Sequence, residues 1–384
     1  MPFLDTFLRC YGWEGAALAG ALLVLLSVQL YYYIFVYGRI ASYKNNRRPA
    51  VLDAEPPVSV IIPLFTEDYG FIEERLPLIL AQNYPDFETV LVYVGSDNDF
   101  YEDLTRLKHS FPQITTTKIH LDPRFPISRK MALNVGIKSA HCECLVFTST
   151  DAAPQTDRWL SLMAKGFVRG QIVVGYCGVE RTRGFANRMM RTWRMMHAAD
   201  WIARAVRRRP YRATLHNMGF TKQVYFGANG FSHLNMNIGE DDLFMQRVMT
   251  RDNVSVILSP RATLREKVWG GLGWWMGQLR YYGSAFRFYP IEVRNFIQWE
   301  LWSRVLFFTA AACALWVMPF EYKIAAGVLL LVRYAAVVWQ VRRIARRLGE
   351  GGLVRLYFLY DLFSPLWAFV LGVLLMRKDD RVWR

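Results

Sequence analysis

The segment VSVIIPLFTED, residues 58–68, joins an almost wholly apolar run to two acids. A short run rich in valine and isoleucine predicts a buried strand. The same patterns predict further strands at 89–94, near residue 119, at 144–148 and at 171–176, and helices over 69–82 and 130–140. Because strands alternate with helices, the sequence favours an α/β domain with a mainly parallel sheet.

Apolar residues are concentrated at the two ends of the chain. Residues 15–36 contain no charge, and about 22 helical residues can cross a hydrocarbon core of roughly 30 Å. Two more apolar runs, 305–320 and 324–341, predict a helical hairpin. The last apolar stretch, 356–376, contains Pro365. We expect it to be a re-entrant or interfacial element that breaks at this proline, with a fourth crossing as the alternative.

The charge pattern indicates how the chain lies in a membrane. The formal net charge is +15, and basic residues follow the first apolar segment at 39–48 and the hairpin at 342–347. The positive-inside rule therefore predicts that these ends are cytoplasmic and that the N-terminus is outside. A cleaved signal peptide is disfavoured, because Asp5 and Glu14 precede the apolar core and no small-residue cleavage site follows it.

The excess of basic residues also bears on binding partners. The sequence contains no zinc-finger, helix-turn-helix or RNA-binding signature, and its arginines cluster beside membrane segments. We therefore expect anionic phospholipid headgroups, and not nucleic acid, as the partner. The segment 185–209 mixes methionine and tryptophan with arginine at helical spacing. It predicts a helix in the headgroup layer, with packing against the transmembrane helices as the alternative.

The sequence divides into five regions. We predict an extracytoplasmic N-terminus (residues 1–14), a transmembrane helix (15–38) and a linker (39–56). An α/β domain with interfacial helices (57–290) and a C-terminal membrane region (291–384) follow. The C-terminal region would comprise an interfacial helix, the hairpin and the segment that contains Pro365.

Polar turns follow the predicted strands, at the edge where parallel sheets bind their ligands. Glu67 follows the first strand, Asp97 follows the second within GSDND, and Ser149 and Asp151 follow the fourth within STD. The glycine of GSDND would let the backbone approach a ligand closely. A further acidic turn, GEDD at 239–242, opens a predicted helix. Acids at a helix N-terminus are stabilised by the helix dipole, so a plain cap is an alternative role for this turn.

Together these features resemble the family 2 glycosyltransferases, inverting enzymes of the GT-A fold that transfer a sugar from a nucleotide-diphosphate donor. The run VSVIIP, which ends at Pro63, is similar to the opening strand of that family, and Glu67 occupies the acid position of the following turn. By the register of Pro154 and Trp159, Asp151 corresponds to the second acid of the family's Asp-x-Asp turn. The resemblance implies that Asp151 binds Mg²⁺ or Mn²⁺.

The resemblance also implies the other donor contacts. Ser149 stands in place of the first acid of the Asp-x-Asp turn, and Arg280 keeps the arginine position of a Gln-x-x-Arg-Trp pattern that grips the diphosphate. Tyr93 and Val94 replace two acids that usually contact the nucleotide base. The expected donor-binding residues are Pro63, Glu67, Asp97, Lys130, Ser149 and Arg280.

On the acceptor side, the resemblance implies that Asp241 is the catalytic base that removes the proton of the acceptor hydroxyl. Glu240 or Asp242 would orient the acceptor. Gln278 and Tyr281 are expected to contact the acceptor or to support the catalytic groups, with Tyr281 replacing the tryptophan of the family pattern.

The sequence thus predicts an inverting, metal-dependent glycosyltransferase of the inner (plasma) membrane with a cytoplasmic catalytic domain. The expected donor is a UDP- or GDP-linked sugar, and the expected acceptor is a lipid or a polyprenyl-linked molecule. A processive polysaccharide synthase and a catalytically silent scaffold of the same fold remain alternatives. A silent scaffold would account for the substitutions at Tyr93, Val94, Ser149 and Gly277.

Overall fold

The computed structural model describes residues 2–44, 55–121, 128–232, 234 and 239–376. Most of the predicted linker therefore lies outside the described residues, together with its basic residues Arg47 and Arg48. The end of the C-terminal region, residues 377–384, also lies outside them.

Ten strands are found within these ranges, and they form two sheets. The strands are β1 (Val58–Leu64), β2 (Phe87–Val94), β3 (Ile114–Ile119), β4 (Cys144–Phe147), β5 (Ala152–Pro154), β6 (Ile172–Val174), β7 (Cys177–Val179), β8 (Met218–Thr221), β9 (Val254–Val256) and β10 (Leu264–Glu266). The larger sheet has the order β3-β2-β1-β4-β8-β6-β9 and the smaller one β5-β10-β7. Strands β3, β2, β1 and β4 are parallel, whereas β8 is antiparallel to both of its neighbours. The predicted α/β domain is confirmed, with one antiparallel strand inserted into the larger sheet.

Strand β8 is missing from the sequence prediction because its four residues, MGFT, contain no valine or isoleucine. It nevertheless lies between β4 and β6 in the middle of the sheet, and Met218 and Phe220 are fully buried. A Cβ atom on Gly219 would lie 2.6 Å from the carbonyl oxygen of Leu145. Only glycine permits the strand to approach so closely.

Strand β1 is buried along its whole length because hydrophobic groups cover both of its faces. Val60 and Ile62 lie in one hydrophobic cluster, and Ile61 lies in another. Coverage on both faces explains why the strand is apolar at successive positions and does not alternate. Pairing with β2 brings Pro63 opposite Val92, and β4 pairs on the other side of β1. The carboxyl ends of the three strands therefore meet at one edge.

The described residues also contain thirteen α-helices and two π-helical segments. The α-helices are α1 (Pro2–Leu30), α2 (Gly38–Ser42), α3 (Leu76–Leu80), α4 (Asn98–Ser110), α5 (Arg129–Ser139), α6 (Trp159–Phe167), α7 (Phe185–Val206), α8 (Lys222–Gly227), α9 (Leu243–Val248), α10 (Gly271–Ser284), α11 (Ile291–Val317), α12 (Phe320–Arg347) and α13 (Tyr357–Met376). The π-helical segments are Tyr31–Tyr37, between α1 and α2, and Phe71–Arg75, before α3. The helices predicted over 69–82 and 130–140 are confirmed.

Among the described residues, three helical segments are long and apolar enough to cross a membrane: Gly15–Ser42, Ile291–Val317 and Tyr322–Arg347. Leu22 of the first segment and Phe307 of the second are buried in a shared hydrophobic cluster. The prediction of membrane helices at both ends of the chain is confirmed. Helix α11 is longer than predicted, because it includes the part that was expected to be a separate interfacial helix.

Helix α13 corrects another expectation, because it continues through Pro365 and does not break there. Asp361, one turn before the proline, accepts hydrogen bonds from Arg333 of α12 at 2.6 and 3.0 Å. Both side chains are fully buried. This ion pair holds α13 against α12 at the position where proline removes a backbone hydrogen bond.

Helix α7 differs from the predicted helix in the headgroup layer, because much of its cationic face is buried in protein. Arg191 and Arg194 are almost fully buried. On the membrane side, the hydroxyl of Tyr37 donates to Asp200 of α7 at 2.6 Å. The helix therefore packs between the α/β domain and the first membrane helix, which was the alternative. Helical periodicity alone does not distinguish a lipid partner from a protein partner.

A buried carboxylate joins the membrane helices to the α/β domain. Glu350 follows α12 and is fully buried. Arg191 of α7 donates to it at 2.6 and 3.0 Å, Tyr176 donates at 3.1 Å, and Arg265 of β10 donates as well. Arg265 also donates to the carbonyl oxygen of Gly349 at 2.8 Å. A loop at the end of the third membrane helix thereby holds both a helix and a strand of the α/β domain.

We expect Glu350→Gln to destabilise the folded protein by about 3 to 5 kcal/mol, because two buried guanidinium groups lose their counter-charge. Unfolding of the purified full chain in detergent measures the loss. Glu102→Gln is the matched control, because Glu102 and its partner Arg106 are exposed, and it should change stability by less than about 0.5 kcal/mol. Equal stability of the two variants would contradict the prediction.

Candidate active site

The carboxyl ends of β1, β2 and β4 lie side by side. Glu67 follows β1, Asp97 follows β2, and Ser149 and Asp151 follow β4. The structure thus brings these predicted turns to one edge of the sheet. Pro63 is buried within β1 just before this edge.

Tyr93 connects the first two turns. Its hydroxyl donates to Glu67 and accepts a hydrogen bond from the backbone N–H of Asp97 at 3.2 Å. Burial and the bond to Glu67 raise the pKa of Tyr93 to about 12, so the phenol is protonated at neutral pH. A Cβ atom on Gly95 would collide with the Tyr93 ring. The glycine expected to bring the backbone close to a ligand instead accommodates this ring.

Asp97 has a structural task in addition to its predicted role. Its side chain accepts a hydrogen bond from the backbone N–H of Phe100 at 3.0 Å and so caps α4. The ammonium group of Lys118 donates to the carbonyl oxygen of Asp97 at 2.9 Å and lies 5.7 Å from the centre of the Tyr93 ring. This turn therefore presents a cation as well as the exposed Asp97 carboxylate.

Asp151 is held by the segment that follows β10. Its carbonyl oxygen accepts a hydrogen bond from the backbone N–H of Lys267 at 2.8 Å, and its carboxylate accepts one from the indole of Trp269 at 2.7 Å. Burial raises the pKa of Asp151, while the bond from Trp269 opposes the rise. Arg75 and Lys267 lie 5.4 and 4.4 Å from the Trp269 ring. Two cations therefore stand beside this acid.

The donor set at this turn suits part of the coordination shell of a hard divalent cation. The hydroxyl of Ser149, two residues before Asp151, is buried and has no hydrogen-bond partner among the described residues. No group of three or more His, Cys, Asp or Glu side chains within the described residues could hold a metal ion. Mg²⁺ commonly takes one or two carboxylates and completes its shell with water and substrate phosphates, so one carboxylate and one hydroxyl fit such an ion.

Lys130 is the second residue of α5. Its ammonium group donates to the carbonyl oxygen of Leu234 at 2.5 Å, and burial lowers the pKa of Lys130 although Glu240 opposes the shift. It lines a cleft of about 580 Å³ together with Asn134 and Tyr225. The residue is therefore within electrostatic reach of the acidic turn that precedes α9.

The acidic turn before α9 is buried, in contrast to an ordinary solvated cap. Glu240, Asp241 and Asp242 are each at most 3% exposed. Asp242 caps α9 by accepting from the backbone N–H of Leu243 at 2.6 Å, and it accepts from the Tyr289 hydroxyl at 2.8 Å. The alternative role of a helix cap therefore applies to Asp242. It leaves Glu240 and Asp241 for other tasks.

Asp241 is oriented from two sides. The hydroxyl of Tyr281 donates to one carboxylate oxygen at 3.1 Å, and the guanidinium of Arg212 lies 3.6 Å from the other. Arg212 is itself buried, and its guanidinium stacks on Tyr282 at 4.3 Å from the ring centre. The carboxylate thus has a fixed direction and a compensating charge.

Glu240 is the unpaired acid of the turn. Both of its carboxylate oxygens are buried and have no hydrogen-bond partner within the described part of the chain. Burial raises the pKa of Glu240 to about 7, although the nearby Arg129 opposes the shift. A carboxyl group with this pKa can carry or accept a proton near neutral pH.

The predicted site residues on helix α10 lie in two different environments. Tyr281 contacts Asp241, as described above, whereas Arg280 is exposed and forms no hydrogen bond or ion pair with any residue that the structure describes. Gln278 accepts a hydrogen bond from Arg194 at 3.3 Å. Gln278 and Tyr281 therefore belong to the buried polar cluster, and Arg280 does not.

Glu266 and His216 connect the two acidic regions. Glu266 forms an ion pair with Arg194 at 2.7 Å and lies 3.6 Å from the His216 ring. Burial raises the pKa of Asp151, and the bond from Trp269 and the charge of His216 oppose the rise. Burial lowers the pKa of His216, and Glu266 and Asp241 oppose this shift. Lys267, the residue after Glu266, donates to the carbonyl oxygen of Asp151 at 2.8 Å, so β10 links the Asp151 turn to His216.

Several residues of this site were not predicted. Arg212 and Trp269 lie in stretches without a motif, and Glu266 ends a strand of three residues, which is too short to detect from periodicity. Arg194 lies in the segment 185–209, for which the sequence predicts either a helix in the headgroup layer or packing against the transmembrane helices. Its position three residues after Arg191 on α7 gives no signal of the carboxylate that it binds.

A comparison with protein families identifies the domain. The family described as Glycosyl transferase family 2 matches residues 59–232. The chain carries a family 2 glycosyltransferase domain. The protein is therefore a glycosyltransferase, as the sequence predicts. The matched range includes the three turns at the sheet edge and ends shortly before the acidic turn of α9.

Solved structures of glycosyltransferases are similar to this chain. The mannosyltransferase PcManGT from Pyrobaculum calidifontis, in complex with GDP-Man and Mn²⁺, is 17% identical with a TM-score of 0.53, over 90% of this chain and 99% of that chain. TarS from S. aureus, in complex with UDP-GlcNAc, is 15% identical with a TM-score of 0.40, over 76% of this chain and 82% of that chain. The first similarity confirms the GT-A fold. Among curated protein sequences, none matches the chain.

The raised pKa of Glu240 predicts a pH dependence of stability. The pKa rises from an ordinary value of 4.5 to about 7 in the folded protein. Between these pH values the folded protein keeps a proton that the unfolded chain releases, so stability falls as pH rises through this window. Glu240→Gln removes this titration, and we expect the variant to exceed the wild type by up to about 3 kcal/mol above pH 7.

Unfolding in detergent from about pH 5 to about pH 8 tests this expectation. The exposed Glu102, replaced by glutamine, is the control and should follow the wild type at every pH. If Glu240→Gln also runs parallel to the wild type, Glu240 does not titrate in this window.

Proposed function

We propose that the protein is an inverting, metal-dependent glycosyltransferase that moves a sugar from a nucleotide diphosphate to a lipid or lipid-linked acceptor at the cytoplasmic membrane surface. The observation that carries this proposal is a chain of contacts that links the two acids. Lys267 donates to the carbonyl oxygen of Asp151 at 2.8 Å, and the preceding Glu266 lies 3.6 Å from His216. Arg212, on the same segment as His216, lies 3.6 Å from Asp241. A metal-binding acid and a proton acceptor need this arrangement if they are to act on one substrate pair.

The donor would bind at the carboxyl edge of the sheet. Pro63, Glu67 and Asp97 lie where the nucleotide would contact the protein. Tyr93 places a neutral hydroxyl at a position where the family usually has an acid. The similar mannosyltransferase binds GDP-Man with Mn²⁺, which supports a nucleotide-sugar donor and a divalent ion here. The diphosphate would be met by basic side chains, and Lys130 and the exposed Arg280 are our candidates. Arg280 would have to approach the donor from outside the buried cluster.

Asp151 and Ser149 would hold the ion, which when bound neutralises the diphosphate and helps it to leave. Trp269 orients the Asp151 carboxylate through its indole N–H. Because burial raises the pKa of Asp151, this bond and the nearby cation Arg75 help to maintain the ionised form that a metal ligand requires.

Asp241 would act as the base. The acceptor oxygen attacks the anomeric carbon, the bond from that carbon to the diphosphate oxygen breaks, and the hydroxyl proton moves to Asp241. Attack opposite the leaving group inverts the configuration of the anomeric carbon. Tyr281 and Arg212 keep the carboxylate directed toward the acceptor. Glu240, whose carboxylate oxygens have no hydrogen-bond partner among the described residues, would help to orient the acceptor.

The location of the site supports a membrane-bound acceptor. Tyr289, which donates to Asp242, is followed at Ile291 by α11, a helix that is long and apolar enough to cross a membrane. Trp275 of α10 packs against Trp367 of α13 at 5.2 Å between ring centres. An acceptor hydroxyl at the membrane surface would therefore lie near Asp241. The positive-inside rule supports a cytoplasmic face.

We expect Asp241→Asn to lower the turnover number by roughly 10² to 10⁴-fold, because the amide cannot accept the proton. Release of nucleotide from a panel of UDP- and GDP-sugars with membrane lipid extract measures the rate. Asp103→Asn is the control, because Asp103 lies in a surface ion pair with Arg106. Donor binding by the Asp241 variant should persist, which shows that it is folded.

The products of the same assay distinguish the alternatives. One added sugar agrees with the proposal, whereas a ladder of products indicates a processive synthase. If the wild type binds a nucleotide-sugar but releases no more nucleotide than Asp241→Asn, the protein is a silent scaffold and the proposal is wrong.

The metal assignment predicts that a chelator abolishes nucleotide release and that added Mn²⁺ or Mg²⁺ restores it. Asp151→Asn should raise the metal concentration for half-maximal activity by at least about tenfold. Trp269→Phe retains the carboxylate and loses only its hydrogen bond, so we expect a smaller shift. Activity that persists in excess chelator would exclude a metal-dependent reaction.

A further inference from the structure

A cationic cleft of about 1080 Å³ lies at the end of the first membrane helix. Its basic wall consists of Arg39, Lys44, Arg169, Arg207, Arg208 and Arg251. Among the described residues that line it, Asp252 is the only acid, and its ion pair with Arg208 at 3.4 Å is exposed. The residues that line the cleft therefore carry an excess of positive charge.

The membrane helix fixes the depth of this cationic cleft. Arg39 and Ser42 line it and belong to the last turns of Gly15–Ser42, which can cross a membrane. Arg207, which follows α7, contacts this membrane helix at Tyr31. Its guanidinium donates to the Tyr31 hydroxyl at 3.3 Å and lies 5.9 Å from the centre of the Tyr31 ring. Tyrosine and arginine near the end of a membrane helix are typical of the headgroup layer. The cleft thus opens at the depth of phospholipid headgroups.

The cationic cleft is separate from the candidate active site. Arg194, which binds Glu266, precedes Arg207 on the same helix by more than three turns, which is about 20 Å. None of the residues assigned to the donor, the metal or the acceptor lines the cleft. A ligand here would not be the reacting substrate.

The wall of the cleft is suited to an amphiphilic ligand. Ala205, Val206, Val254 and Val256 line it beside the cations, so a bound molecule would meet apolar as well as charged groups. Arg208 adopts the left-handed backbone conformation, with a φ of 58°, which is uncommon for a residue with a side chain. This conformation turns the chain after α7 so that consecutive arginines line the cleft.

We propose that the cationic cleft binds the phosphate of an anionic phospholipid and thereby fastens the catalytic domain to the membrane surface. Basic clusters directly beside a membrane helix attract anionic headgroups, and the apolar wall favours a lipid over a free anion. The proposal does not depend on the sugar-transfer reaction, because its test measures stability and not activity.

The test measures thermal unfolding of the full chain in detergent micelles that contain either phosphatidylglycerol or phosphatidylcholine. We expect phosphatidylglycerol to raise the unfolding midpoint by about 3 to 5 °C more than phosphatidylcholine does. The double variant Arg39→Gln/Arg251→Gln should lose more than half of this difference in midpoint between the two lipids. Arg106→Gln/Arg158→Gln removes the same charge from exposed positions elsewhere and should retain it.

A second variant guards against misfolding of the first. Arg208→Gly removes a cation and suits the left-handed backbone, so it should be folded in phosphatidylcholine and lose part of the phosphatidylglycerol effect. Equal midpoints of the wild type in the two lipids, or a full effect in both cleft variants, would overturn the proposal. If millimolar inorganic phosphate reproduces the effect and removes any further response to phosphatidylglycerol, the cleft binds free anions and the lipid assignment is wrong.

Discussion

The fold depends on one carboxylate that two guanidinium groups share. Glu350 stands in a loop after the third membrane helix, and Arg191 and Arg265 approach it from a helix and a strand of the catalytic domain. Arg265 is followed in β10 by Glu266, which binds Arg194 and lies beside His216. Arg265, which joins the two parts of the molecule, is therefore the neighbour in sequence of Glu266 in the candidate active site. A shift of the membrane helices would be transmitted to the acids through β10.

Local patterns predicted the central strands and the turns that follow them. Strands β1, β2 and β4 are short apolar runs that are buried, and parallel packing alone brings Glu67, Asp97 and Asp151 to one edge. Strands β8 (MGFT) and β10 (LRE) are short and contain neither valine nor isoleucine, so the sequence pattern does not reveal them. Contacts between residues that are far apart in sequence, such as Arg212 and Asp241, cannot be predicted from the spacing of residues.

The sequence pattern could not decide the environment of α7 or the course of α13, and the physical reason is the same in both cases. The amphipathic spacing of α7 and the proline of α13 are each a property of one helix by itself. The environment of α7 and the continuity of α13 depend also on the elements that pack against them. Arg191 and Arg194 are buried because carboxylates at Glu350 and Glu266 compensate their charges. Helix α13 continues past Pro365 because Arg333 of another helix holds Asp361. In both cases a distant charge of opposite sign determines the local structure.

The ion pair between Arg333 and Asp361 constrains how the chain enters the lipid. Arg333 lies near the middle of a helix that can cross the membrane, and it also donates to Gln29 of the first membrane helix at 2.9 Å. A lone arginine at that depth is costly, and a carboxylate partner offsets part of that cost. The packing of α12 in the bundle is therefore complete only when α13 has docked, because only then does Arg333 meet the carboxylate of Asp361.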